Sequence, residues 1–492
     1  MMFIESMDGH YKNNVSFIAF LLAALFGLLV FGAIIIFSII NNTSLDHVSG
    51  AWIAMAMDLR DGVLYRPLFD ESTGFGGTRN FPLFFSLIAM AMRVLGSPVL
   101  SGHIISFLSG MLLLWGCYMF LRRVEVRPVF AVGLCALLIS SLSIRHGFES
   151  VRGDVLPLAL NVLGLAIYLG KSPRILRVYV TAFLFVMAFA AKLTAVHGVA
   201  SLFLWLLLTG RGREGLHILL TTLAGYAAFL GFLFFTTSGR IYEIFQVCAS
   251  GGADIATILK APIKFAFSMS SNDQESMLIL FWAVTIFFYG PKGLRTSLPT
   301  IFIAVTLVLT VFLYGSPGVV FNHLVDLSAA SVLFVGYAGF STRSMIIQPS
   351  TGIYVALMVF SICRNLWMVN EGLADYKSDG NKYPEQLTEF VMQQEGTLLS
   401  EDPLLPIFSN KKPYLLDPFM LRLVMQNDVA IRATVVKEIR SKKYSAIIFV
   451  KDPLDNTAWY SDTHFGETFT INVLEHYQET ARMGQYVIYA PR

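Results

Sequence analysis

The chain has 492 residues, of which 55% are hydrophobic and only 14% charged, and its mean hydropathy is +0.63. Soluble domains carry about a quarter charged residues, so this composition excludes an ordinary soluble protein and places most of the chain in lipid. The formal net charge of +3 is too small to suggest a nucleic-acid partner, so none is expected, and four scattered cysteines (Cys117, Cys135, Cys248, Cys363) give no disulfide or metal spacing.

The N-terminal MMFIESMDGHYKNN precedes an apolar run over residues 15–40, longer than a signal-peptide core and without a small-residue cleavage site. It predicts an uncleaved first transmembrane helix. Residues 41–80 form the first loop and hold SLDHVSGAWIAMAMDLRDGVLYRPLFD. From Asp46 to Arg60 the spacing is helical, with Val48, Trp52, Met55 and Leu59 near one stripe and Gly62 as the stop. Such a helix is expected to lie along the interface with its apolar side in lipid. Asp46 reads as its N-cap, Asp58 and Asp61 as solvated carboxylates flanking Arg60, and ESTGFGGTRN as a loop free to move.

Further apolar runs recur to about residue 370, and their connections are of two kinds. One set is short and basic, with Arg122, Arg123, Arg127, Lys171, Arg174, Arg177, Arg211, Arg213, Lys292, Arg295 and Arg343. The positive-inside rule makes these loops, and the N-terminus, cytoplasmic. The other set is longer and carries acids, aromatics and histidines: residues 41–80, 144–154, 238–275 and 314–326. These are expected on the outer face, together with everything after residue 371. Parity then requires FPLFFSLIAMAMRVLG (81–96), which is short and contains Pro82 and Arg93, to be a tilted or half-buried helix. Roughly eleven crossings remain. The 238–275 loop, broken at Gly251-Gly252, reads as interfacial helices over a cavity mouth.

Residues 1–370 thus form a polytopic α-helical membrane domain, and residues 371–492 turn polar and predict a small α/β domain on the outer face. There GTLLSED, YSAIIFVKD and GQYVIYAPR read as strands, DVAIRATVVKEIRSKK and FTINVLEHYQETARM as helices, and Asp402 and Asp417 fall near strand ends.

Arg66, Arg145, Arg152, Lys192 in AFAAKLTAVHG and Arg364 in SICRNLWMVN are the cations on the outer side, and of these Lys192 and Arg364 stand within apolar stretches, where an isolated charge is costly. Asp154 opens a helix after RHGFESVRGD and reads either as an N-cap or as a partner of Arg152. His323 and Asp326, three residues apart, read as a hydrogen-bonded pair at a helix start; two groups, like His146 with Glu149, do not make a metal site.

Three stretches together carry a resemblance. Asp46 just after helix one, followed by Gly50, Ala54 or Ala56 and DGVLYRPLF, resembles the first loop of the GT-C superfamily of glycosyltransferases. The nearest branches are the protein O-mannosyltransferases and aminoarabinose transferases. RHGFESVRGDVLPLALNVLGLAIYLG is a second point of likeness, and FPLFF resembles the family's Pro-Pro-Leu segment with Phe81 in place of one proline. Where the family often has Asp-Glu, this chain has Asp46-His47. The resemblance implies a GT-C-like helical fold and sugar transfer from a polyprenyl-phosphate donor to a hydroxyl of a lipid, glycan or protein. It implies Asp46 and Asp154 as catalytic residues, Arg66, Arg152, Lys192 and Arg364 around the donor phosphate, and Tyr65, His323 and Asp326 in the acceptor cavity. It leaves a divalent metal open, and it sets the chain in a bacterial inner membrane. A transporter or flippase is the rival class, but it calls for matching interrupted helices in two halves, which the sequence lacks. A polymerase or ligase would carry its large loop late in the chain.

Overall fold

The computed structural model describes residues 2–248, 254–341, 347–379 and 382–492, with side chains outside 2–14, 292 and 372–379. Gly251, Gly252 and Arg343 lie outside the described residues.

Helix α1 (Met2–Asn41) contains an apolar stretch, Val15–Asn41, long enough to cross a bilayer. Five others meet the same criterion: α4 (Pro98–Arg123), α8 (Arg174–Ala191), α10 (Gly212–Thr236), the segment Phe321–Phe340 ending in α16 (Val325–Phe340), and α17 (Ile347–Asp379) up to Glu371. Helices α5 (Pro128–Ser140) and α6 (Leu142–Glu149) form a pair bent by 80°. Shorter apolar helices are α3 (Pro82–Leu95), α7 (Val155–Tyr168), α9 (His197–Leu208), α14 (Gln274–Tyr289) and α15 (Leu298–Leu313). Among the described residues six helices are therefore long and apolar enough to cross, or seven with the bent pair as one span, fewer than the roughly eleven crossings expected, because the remaining apolar segments fold as helices of only 12 to 16 residues. At 14 residues, α3 is about 21 Å long, too short for a hydrocarbon core of about 30 Å. The 238–275 connection holds α11 (Arg240–Cys248), α12 (Ile255–Leu259) and α13 (Ala261–Ser271).

Helix α2 (His47–Arg60) departs from expectation. Ser49 through Asp58 are all buried, so this helix lies inside the protein and not on lipid. Small residues let neighbours close on both sides. Trp52 packs edge-on against Phe84 of α3 at 5.1 Å, and a Cβ on Gly50 would sit 2.8 Å from the Leu404 amide nitrogen. The glycine-rich loop is also pinned. Strands β1 (Phe69–Asp70) and β2 (Gly74–Phe75) pair antiparallel, and the Phe75 amide donates to the Tyr414 carbonyl at 2.7 Å. Gly74 has φ +81°, and a Cβ there would meet that carbonyl oxygen at 1.9 Å, so only glycine fits.

The C-terminal region runs α18 (Glu385–Gln393), β3 (Thr397–Ser400), α19 (Leu404–Phe408), α20 (Pro418–Asn427), α21 (Val429–Arg440), β4 (Tyr444–Phe449), α22 (Thr457–Asp462), α23 (Glu467–His476), β5 (Tyr477–Met483) and β6 (Tyr486–Pro491). The sheet order is β3-β4-β6-β5, with β3 parallel to β4 and the other pairs antiparallel. The predicted strands are β3, β4 and β6. The expected helix over FTINVLEHYQETARM stops at His476, because YQETARM pairs antiparallel with β6 as the edge strand of the sheet. Asp417 caps α20 instead of ending a strand. Phe75 of the hairpin belongs to this region's core beside Leu399, Leu421 and Ile447, and Leu404, Leu405 and Phe419 join the core built on α2 and α3. The first loop and the C-terminal region are therefore one packed body.

Candidate active site

Asp46 follows α1 by five residues and caps α2, its Oδ1 accepting from the Ser49 amide at 2.9 Å and from the Ser49 hydroxyl at 3.1 Å. Its other oxygen accepts from the Arg152 guanidinium. The two side chains are 27% and 11% exposed, so the pair is largely buried and partly reachable from solvent. Burial pushes the Asp46 carboxyl up, but Arg152, with His47 and His146, outweighs it and holds the group far below its ordinary value.

Asp154 stands two residues on, before α7. It makes no capping bond; Lys192 Nζ donates to its Oδ1 at 2.6 Å and Asn322 Nδ2 to its Oδ2 at 2.9 Å. Here too burial opposes ionisation and the cations prevail, Lys192 most strongly, so this carboxyl lies well below its ordinary value. Arg152 is pushed up: burial acts against its charge, and Asp46 and Asp154 more than offset that. Arg152 therefore pairs with Asp46 by a hydrogen bond and feels Asp154 through space.

The helix ends explain this convergence. Lys192 is the C-cap of α8, and Asn322 and His323 lie in the 3₁₀ turn that leads into α16. His323 is electrostatically coupled to Lys192, Asp154, Arg79 and Asp326, and its Nδ1 is buried without a hydrogen-bond partner. Asp326 pairs not with His323 but with His197 at the start of α9, Nε2 to Oδ1 at 2.8 Å. His146 of α6 lies against the Phe321 ring at 5.4 Å.

Other predicted site residues stand elsewhere. Arg66 is buried and fully employed: it forks onto both oxygens of Asp58 at 2.8 and 3.0 Å and donates to the Thr73 and Pro413 carbonyls. That pairing also corrects the expectation of a solvated Asp58, which is 5% exposed. Asp61 is the more open of the two and meets Arg60 and Lys412. Arg364 binds Glu275 through both carboxylate oxygens and donates to the Asn272 carbonyl. Arg145 contacts Glu149 at 3.0 Å and donates to Asn365. Tyr65 is buried, which pushes its phenol up, and it donates to the Asn80 carbonyl at 3.0 Å.

That last bond anchors the loop bearing Arg79, which sequence reasoning missed. Arg79 lies over the Phe419 ring at 5.4 Å and is drawn by Asp417 and Asp154. Burial weighs more than these acids, so its charge is under-compensated. Among the described residues it makes no ion pair and no side-chain hydrogen bond. The available signal was its place, a cation two residues before the Phe81-Pro82 entry of α3.

The cluster thus presents two carboxylates, Asp46 and Asp154, their paired cations Arg152 and Lys192, and the Arg79 guanidinium. Among the described residues no three His, Cys, Asp or Glu side chains are grouped to hold a metal ion, and Asp46 and Asp154 already face cations. Two cavities lie away from it. One, of about 1100 Å³, is lined by Arg123, Trp282, Tyr289 and Tyr337 at the opposite helix ends, and one of about 670 Å³ by Arg432, Lys437 and Arg440 on the C-terminal region.

No family model matches the sequence, and no curated protein does. Solved structures do match. The chain is similar to ArnT from Cupriavidus metallidurans bound to undecaprenyl phosphate, at 13% identity and a TM-score of 0.57, over 94% of this chain and 97% of that one. It is also similar to the apo oligosaccharyltransferase of Archaeoglobus fulgidus, at 10% identity and a TM-score of 0.54, over 98% of this chain and 75% of that one. The likeness is one of fold, and it runs along nearly the whole chain.

Proposed function

We propose that the chain is a glycosyltransferase that moves a hexosyl or pentosyl unit from a polyprenyl-phosphate donor to an acceptor hydroxyl at the outer face of a bacterial inner membrane, with inversion. The observation that carries this reading is the Asp46–Arg152 pair immediately after the first membrane helix, with Asp154–Lys192 and Arg79 around it. A lipid-tethered donor keeps its tail in the bilayer, so its phosphate is presented at the depth where α1 ends. ArnT, the similar structure from C. metallidurans, holds such a polyprenyl phosphate.

In this reading the donor phosphate draws Arg152 toward itself, with Lys192 and Arg79 as the other cations. That matters for Asp46. While Arg152 is bonded to it, Asp46 is too weakly basic to take a proton. Once the guanidinium turns to phosphate, the carboxylate recovers basicity in a dry setting, as general-base catalysis requires. The acceptor oxygen then attacks the anomeric carbon and its proton goes to Asp46. The bond from that carbon to the phosphate oxygen breaks, and the lipid phosphate leaves with the electron pair, stabilised by the cations. Displacement from the face opposite the leaving group inverts the centre. Asp154 orients Lys192, His323 and Asp326 line the acceptor side, and residues 371–492 form the outer domain that covers the site.

The test is transfer from a panel of polyprenyl-phosphate sugars by the purified protein, comparing wild type with Lys192→Met and Arg79→Met. A rise in donor KM in both variants, with folding intact, is expected; unchanged kinetics in both would overturn the placement of the phosphate.

A further inference from the structure

The residues on either side of Asp46 in the chain are both held by the C-terminal region. The Leu45 carbonyl accepts from Lys382. The His47 ring stands edge-on against the His464 ring at 4.8 Å and 74°. Behind it, His464 is 3% exposed, and its Nδ1 lies 2.7 Å from Glu401 Oε1. Glu401 is itself fixed. The Trp459 indole donates to it at 3.2 Å, the Tyr460 hydroxyl at 2.8 Å and the Val450 amide at 2.7 Å. The Trp459 ring also lies tilted against His464, centroids 4.5 Å apart at 52°, closing the cage.

The next residue, Asp402, fixes the other wall. It accepts from the Leu404 amide at 3.0 Å and from the Tyr383 and Tyr486 hydroxyls at 3.2 and 3.1 Å. This places the Leu404 nitrogen against Gly50, one turn after Asp46, with no room for a side chain. The first turn of α2 is thus gripped at residues 45, 47 and 50 from one side, while Arg152 holds residue 46 from the other.

We propose that His464 and Glu401, with Lys382, are positioning residues: the C-terminal region clamps the first turn of α2 and thereby sets where the Asp46 carboxylate stands. The role rests on the reading of Asp46 as the transfer base. A carboxylate whose backbone drifts by about 1 Å loses on the order of 100-fold in rate, because the acceptor oxygen no longer lines up with it. The clamp accordingly acts on kcat and leaves donor KM alone, since none of its members faces the donor phosphate.

The experiment uses the full chain in detergent or nanodiscs and reads two quantities in wild type, His464→Ala, His464→Phe and Lys382→Met. The first is amide hydrogen exchange in peptides spanning residues 44–55; the second is sugar transfer from polyprenyl-phosphate donors. Faster exchange at the first turn in His464→Ala and Lys382→Met is expected, with kcat down about 10-fold to 100-fold and donor KM unchanged. His464→Phe, which keeps a ring against His47, restores most of both. Unchanged exchange in the two clamp variants overturns the clamp, whatever the activity. Faster exchange with unchanged kcat overturns the positioning role. Faster exchange in a protein whose wild type transfers from no donor leaves the clamp standing and overturns the transfer reading, and with it the role.

Discussion

Asp46 shows how a residue's environment decides its chemistry. As an N-cap it is ordinary, accepting from Ser49 as any capping aspartate does. Arg152 makes it unusual. Replacing that cation by methionine removes the main group that stabilises the carboxylate in the free protein while leaving its burial, so the acid limb of the kcat/KM profile moves to higher pH in Arg152→Met. An unmoved limb would mean that another group titrates. The same pair affects stability with a definite sign. Its folded pKa lies below the ordinary value of 3.8, so its contribution is present above about pH 3.8 and is lost as the pH falls below it. Thermal melting of wild type should therefore fall more steeply in acid than that of Asp46→Asn. Arg66 makes the opposite case. Arg66→Met leaves Asp58 buried without its partner, and a loss of about 3–5 kcal/mol in stability is expected with donor KM unchanged; a raised KM in a stable variant would restore Arg66 to the donor site. Asp46 was legible in the sequence because its place after helix one is a matter of order along the chain. The partners were less so. Lys192 with Asp154 spans 38 residues and Asn322 with Asp154 spans 168, and no spacing rule pairs charges across such distances.

At the scale of elements, the crossing segments and three of the four C-terminal strands follow from hydropathy and alternation. Helix α2 does not. Its apolar stripe fits a lipid surface as well as a protein one, and what buries it, α3 on one side and Pro403-Leu404 on the other, comes from distant parts of the chain. The β1–β2 hairpin was obscured for the same reason. Glycines read as freedom in a sequence, yet Gly74 is needed because the Tyr414 carbonyl occupies the space of its Cβ. Gly74→Ala should thus cost about 2 kcal/mol or more and open the chain near Tyr414 to limited proteolysis, at a positive φ where alanine is strained as well as crowded. A variant as stable and as resistant as wild type would show that the hairpin is not the fastening described.

For the whole molecule, one end of the helix bundle gathers the site and the C-terminal region, and the other carries the basic loops. The placement of the site end outside the membrane, proposed from the positive-inside rule, is open to direct labelling. A cysteine at exposed Lys437 should react with an impermeant maleimide in intact spheroplasts, and one at Arg213 only after lysis; the reverse pattern would invert the topology. If the chain transfers sugar as proposed, the packed union of first loop and C-terminal region implies that transfer needs both, since Asp46 caps α2 and the first turn of α2 is held by residues beyond 380. The claim on which all of this turns is that Asp46 takes the acceptor's proton. Its most direct test is transfer of radiolabelled sugar from polyprenyl-phosphate donors by wild type and by Asp46→Asn, an isosteric change that keeps the cap and removes the base. A fall of about 10²-fold to 10⁴-fold in kcat, with the variant folded and binding donor, is the predicted result. Transfer at the wild-type rate in Asp46→Asn would contradict it.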